Sequence, residues 1–164
     1  MVLFDVILII ATFLCSLVAG FLFAFAVVVM PGIRKLNDRD YLRAFQVIDG
    51  VIQDNQPVFI IVWIGSFIAL VAAVLAGFKQ LDIVGRVLLS LATFFYIFGV
   101  QVPTITINVP LNNRLKTLEV DSMNEADSKS ARDEFEPHWN RWNIIRTYLA
   151  CFVSVLSIIL LIKL

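Results

Sequence analysis

Four stretches of this chain carry no charged side chain: residues 6–33, 55–78, 87–113 and 147–162, the last preceded by the single charge of Arg146. Each approaches or exceeds the roughly 20 residues that a helix needs to cross the hydrocarbon core of a bilayer. In lipid every backbone N–H and C=O must be satisfied by the protein itself, and a helix does this within one segment. The sequence therefore predicts an all-α integral membrane four-helix bundle. It forms a single transmembrane domain over residues 1–164, with spans near 4–30, 57–78, 84–107 and 144–163. The hydrophobic share of 60% agrees, because soluble domains lie nearer half. The first run has no basic flank and no small-residue cleavage site after a short apolar core. It reads as a retained helix rather than a signal peptide, with the mature chain expected to start at Met1.

Charge and side-chain inventory remove several function classes. Lys+Arg and Asp+Glu number 13 each, so no net field draws the chain to nucleic acid. Cys15 and Cys151 both fall in apolar runs and read as packing residues. His138 is the single histidine, which rules out bis-histidine haem and histidine-rich metal centres. There is no Gly-rich phosphate loop, no nucleophile elbow and no internal repeat, and no metal or cofactor is expected. The helices lack the paired intramembrane acids and bases of an ion or proton route.

Small residues recur every fourth position as Thr12, Ser16, Gly20 and Ala24, and again as Gly65, Ala69, Ala73 and Gly77. Such stripes let helix backbones approach in lipid, so the first two spans are expected to pack closely. Asp5 is expected to cap the first helix. Between these spans, residues 38–52 place Tyr41, Phe45, Ile48 and Ile52 at steps of three and four, which predicts an amphipathic helix between helices 1 and 2. In the third span Pro103 and Pro110 should kink or end the helix. The segment 101–113 then either lines a wet cavity or has left the membrane. The polar stretch that follows reads as a surface turn and a short charged helix leading to Pro137.

Two polar loops, 31–56 and 108–143, must lie on the same side, since two spans separate them. Ten Lys and Arg fall in or beside these loops, Arg146 included, against Lys79, Arg86 and Lys163 on the other side, which predicts that they are cytoplasmic. The shared side brings Asp49, Asp54 and Asn55 towards Asn108 and Asn112. Both groups approach the entrance of the last helix, where Trp139, Trp142, Asn143 and Arg146 fall on one face. Arg146 lies one turn inside an apolar run, so it needs a partner or must snorkel; a carboxylate from Asp49 or Asp54 is the expected partner. Tryptophan and arginine at a helix end are also ordinary interfacial anchors. Anchoring, however, has no use for so many amides, and together these groups describe a pocket for a flat, mostly apolar molecule with one or two oxygens.

The stretches IDGVIQDNQPVF, TITINVPLNNRL and FEPHWNRWNIIRT together resemble the anthrone-oxygenase-like family of small four-helix membrane proteins, over nearly the whole chain. The resemblance implies a multi-pass protein, of a bacterial inner membrane, and cofactor-free oxidation of anthrones to anthraquinones. On that analogy Arg146, Asn143 and Asn108 would face an oxyanion, and Trp139 and Trp142 would form walls with Asn112 and Asn55 nearby. Asp49, Asp54 or His138 would supply the base, although the family pattern more often has arginine at the position of His138. The expected partners are the lipid bilayer and a lipophilic phenol, anthrone or quinone-like compound. The alternative is a non-catalytic accessory subunit or self-associating bundle, in a homo-oligomer or membrane complex, whose polar residues form a structural clasp.

Overall fold

The computed structural model describes residues 2–164; Met1, and with it the expected chain start, lies outside the described residues. Five helices make up the fold: α1 (Val2–Ile33), α2 (Asp38–Gln53), α3 (Pro57–Gly77), α4 (Ile83–Lys116) and α5 (Glu125–Lys163). A single 3-10 turn, Val120–Ser122, bridges the last two. No strand occurs among the described residues, and α1, α3, α4 and α5 are long and apolar enough to cross a membrane. The chain is an all-α membrane bundle with α2 set between the first two spans.

Side chains mark where helices begin. The side-chain oxygens of Asn37, Gln56, Asp82 and Asn124 each accept a backbone N–H three residues on, satisfying donors that the first turn leaves free. Asp5 does not cap α1, because the helix is already formed at Val2. It lies instead in the first turn, where a negative charge still favours the helix dipole.

α1 is the central helix, packing on α3 and on α5, while α5 packs on α4. Its buried face runs through Leu8, Ala11, Cys15, Val18 and Leu22. The predicted approach of α1 and α3 is present, but the stripe on α1 is rotated from the expected one, since Gly20 and Ala24 are exposed. On α3 the small residues do sit at the contact. A Cβ on Gly77 would run into the Phe4 ring, so only glycine fits there without a shift.

The prolines do not end helices. α4 runs through Pro103 and Pro110 to Lys116, and the hydroxyls of Thr104 and Thr106 donate to the carbonyls of Val100 and Val102. α5 passes Pro137 unbroken, at a point where the carbonyl it frees belongs to the exposed Asp133. At 39 residues α5 is about 58 Å long, roughly twice the thickness of a hydrocarbon core. Its first half therefore projects beyond the lipid, with the end of α4 and with α2, as a helical cap on one end of the bundle. Aromatic packing of Tyr41, Phe45, Phe135 and Trp139 holds that cap together.

Candidate functional site

Among the described residues there are three π-helical turns, Phe25–Val29 in α1 and Ile97–Gln101 and Thr104–Asn108 in α4. Each ends two residues before a proline, Pro31, Pro103 or Pro110. A proline offers no N–H and its ring crowds the carbonyl four residues back; a widened preceding turn relieves both. The widened turns also re-aim side chains. Phe25, Thr104, Ile105 and Asn108 from them line a cavity of about 230 Å³, bounded by all five helices under the cap.

Arg146 lies in this cavity, only 3% exposed. One terminal nitrogen donates to Thr104 Oγ1 at 2.8 Å and the other to Asn143 Oδ1 at 3.2 Å, while Nε has no partner. The guanidinium sits 5.9 Å from the centre of the Trp139 ring. Among the described residues no carboxylate pairs with it. The expected carboxylate partner is thus replaced by a hydroxyl and an amide, which leave the charge uncompensated. Asn108 is also buried; its amide nitrogen reaches the Trp139 carbonyl at 3.4 Å and its Oδ1 is unpartnered.

Asp49 lines the same cavity from α2 but is engaged elsewhere. Its carboxylate accepts from Asn112 Nδ2 at 2.8 Å and from Gln53 Nε2 at 2.5 Å. Asn112 Oδ1 in turn accepts from Trp139 Nε1 at 2.7 Å, so one hydrogen-bonded chain ties α5, α4 and α2 together. Burial holds the Asp49 carboxyl above the usual carboxylate range, opposed in part by the two amide donors and the charge of Lys116.

Arg146, Asn143, Asn108, Asn112, Trp139 and Asp49 therefore meet at one cavity, and four other expected residues do not. Asp54 is the C-cap of α2, turned outward 3.8 Å from Lys116. Asn55 is an exposed turn residue with φ 64°, a left-handed conformation that asparagine tolerates. His138 is exposed, and Trp142 is half-buried outside the lining. Each lies near the right residues in sequence but on the wrong face of its helix or turn.

The structure adds residues that the sequence reading passed over. Trp63 of α3 lines the cavity and donates from Nε1 to Gln101 Oε1 at 2.9 Å. That bond fixes which end of the Gln101 amide is which, and leaves its buried Nε2 without a partner. Phe25, Phe45 and Phe59 complete the aromatic wall. The one tryptophan of the second apolar run, and polar residues beside Pro103, were the available signals.

A family model described as anthrone oxygenase matches residues 56–156 of the 164. The match takes in α3, α4 and most of α5, and leaves out α1 and α2, which contribute Phe25 and Asp49. No curated protein and no solved structure matches the chain. With more than half of its length matched, Arg146, Asn143, Asn108 and Trp139 included, the chain belongs to the anthrone oxygenase family.

Proposed function

We propose that this protein binds a flat lipophilic phenol or anthrone in the cavity beneath α2, removes a proton from it, and lets the resulting carbanion react with O₂. The observation that carries this reading is Arg146, a buried cation facing an aromatic-walled cavity with no anion beside it. An unpaired buried charge costs several kcal/mol by general precedent, a cost that an anionic ligand oxygen would offset. Asp49, held in its acceptor geometry by Asn112 and Gln53, is the base. Its raised pKa improves it as a proton acceptor relative to an ordinary carboxylate.

The chemistry asks little more of the protein. Loss of a proton from the activated methylene gives a carbanion delocalised onto the ring oxygen, which the Arg146 guanidinium, with its unpartnered Nε, stabilises. O₂ adds at that carbon; one oxygen atom remains as the new carbonyl, the other leaves as water, and the methylene loses both hydrogens. The carbanion itself supplies the electrons, so the reaction as written needs no added cofactor. Trp139, Phe25 and Phe59 hold the ring flat and keep bulk water away.

O₂ uptake by the purified protein with a hydroxylated anthrone, corrected for spontaneous oxidation, tests this. Acceleration that is lost in both Arg146→Ala and Asp49→Asn, with helical content kept, is the expected result. Equal acceleration by wild type and variants would refute it. Unaccelerated uptake together with a stoichiometric copurifying membrane partner would favour a structural clasp instead.

A further inference from the structure

The cavity is covered by α2 on its cap side and reaches the apolar surface of the bundle on its flank. On the aqueous side α2 lies across it, with Tyr41, Leu42 and Phe45 buried beneath. Gln46 Nε2 donates to the carbonyls of Leu115 and Leu118 at 2.9 and 3.0 Å, fastening α2 to the end of α4. Arg132 fastens its other end, donating to the carbonyls of Leu36 and Arg34 and to Asp38, with its guanidinium over the Tyr41 ring.

The lateral side is built differently. α3 packs on α4 along Ile83–Tyr96, near their connecting turn, and has no comparable contact with Thr104–Lys116. Beyond the Trp63–Gln101 hydrogen bond the two helices part. Four residues rim the gap and also line the cavity: Ile52 of α2, Phe59 of α3, and Ile105 and Val109 of α4. Ile105 is 66% exposed and Val109 41%, so the cavity wall there is also the outer surface of the bundle. Val102, on the outer side of α4 next to Ile105, is exposed as well. Phe59, Ile105 and Val109 lie within charge-free runs, towards the cap-side ends of the apolar segments of α3 and α4.

We propose that the ligand enters sideways from the bilayer, as an uncharged lipophile, through the gap between α3 and α4, and that Phe59 and Ile105 set the width of what passes. This rests on the functional reading above. An apolar gap favours the neutral form of an acidic ligand, because a charged one would be stripped of water before meeting any partner. Ionisation follows entry: the proton passes to Asp49, and the ligand oxygen that takes up the negative charge faces Arg146. Proton transfer and charge stabilisation thus fall to Asp49 and Arg146, while Ile105 and Val109 bound the way in.

The test is the association and dissociation of 2-naphthol with the protein in phosphatidylcholine vesicles, read by tryptophan quenching. Narrowing the gap with Ile105→Phe and Val109→Phe together should slow association and dissociation by about tenfold each, as expected where these side chains bound the route. Fixing the cover with a Gln46→Cys and Leu118→Cys pair joined by a short bis-maleimide should leave both rates unchanged against the unjoined pair. Unchanged rates in the phenylalanine variant, or slowing by the cross-link, would overturn the lateral route. A wild-type protein that fails to bind 2-naphthol at all would instead overturn the functional reading, and the route with it.

Discussion

Arg146 and Asp49 show how one cavity can hold a cation and a carboxylate that do not pair. Asp49 is bonded to Asn112 and Gln53, and Arg146 to Thr104 and Asn143, so each keeps its charge or proton available to a ligand. The raised pKa of Asp49 gives a pH dependence with a definite sign. Turnover needs the ionised form, so activity should rise with pH along a limb centred above the usual carboxylate range, and Asp49→Asn should abolish that limb. Stability runs the other way: the folded protein holds the Asp49 proton more tightly than the unfolded chain, whose pKa is about 3.9. Stability is therefore lost as pH rises from the unfolded value through the folded one, and Asp49→Asn should flatten that part of a thermal-melt pH series. At this scale the sequence was partly legible. Trp139, Asn143 and Arg146 share a face by helical spacing alone, whereas choosing Asp49 over Asp54 required knowing where α2 ends. Trp63 and Gln101 meet only through tertiary packing, which no spacing in one helix reveals.

Among the elements, the π turns carry the site and the glycine contacts carry the bundle. Proline was legible as a disturbance of α4 but not as a widened turn, because the remedy depends on whether nearby hydroxyls satisfy the loosened carbonyls. Pro110→Ala restores an N–H and removes the reason for the Thr104–Asn108 turn. The expected outcome is a higher melting temperature together with weaker ligand binding, measured on the same preparation; a gain in both would show that the turn does not shape the site. Gly77→Ala acts at the other end of the bundle. Its added carbon meets the buried Phe4 ring, and it should lower stability by about 1–3 kcal/mol in chemical denaturation. Ligand affinity should stay unchanged, since Phe4 is far along α1 from Phe21 and Phe25.

The whole molecule divides into a lipid-embedded bundle and a helical cap, with the cavity at their junction. The four charge-free runs made the bundle legible from composition. The cap was harder to read, because the polar first half of α5 reads as a short charged helix leading to Pro137 until it is seen running on unbroken into the last span. Arg132 supplies the clasp there, and it lies outside the cavity. Its side chain is largely buried and bonds the loop before α2, so Arg132→Ala should cost about 3 kcal/mol and expose residues 36–56 to protease. The measurement closest to the central claim is the affinity of 2-naphthol for the purified protein and for Arg146→Ala, by calorimetry in the same detergent. Measurable binding by the wild type and a loss of about 2 kcal/mol or more in the variant, the range for a hydrogen bond to a charged group, are expected. Equal affinity in the two proteins, with the fold intact in both, would contradict it.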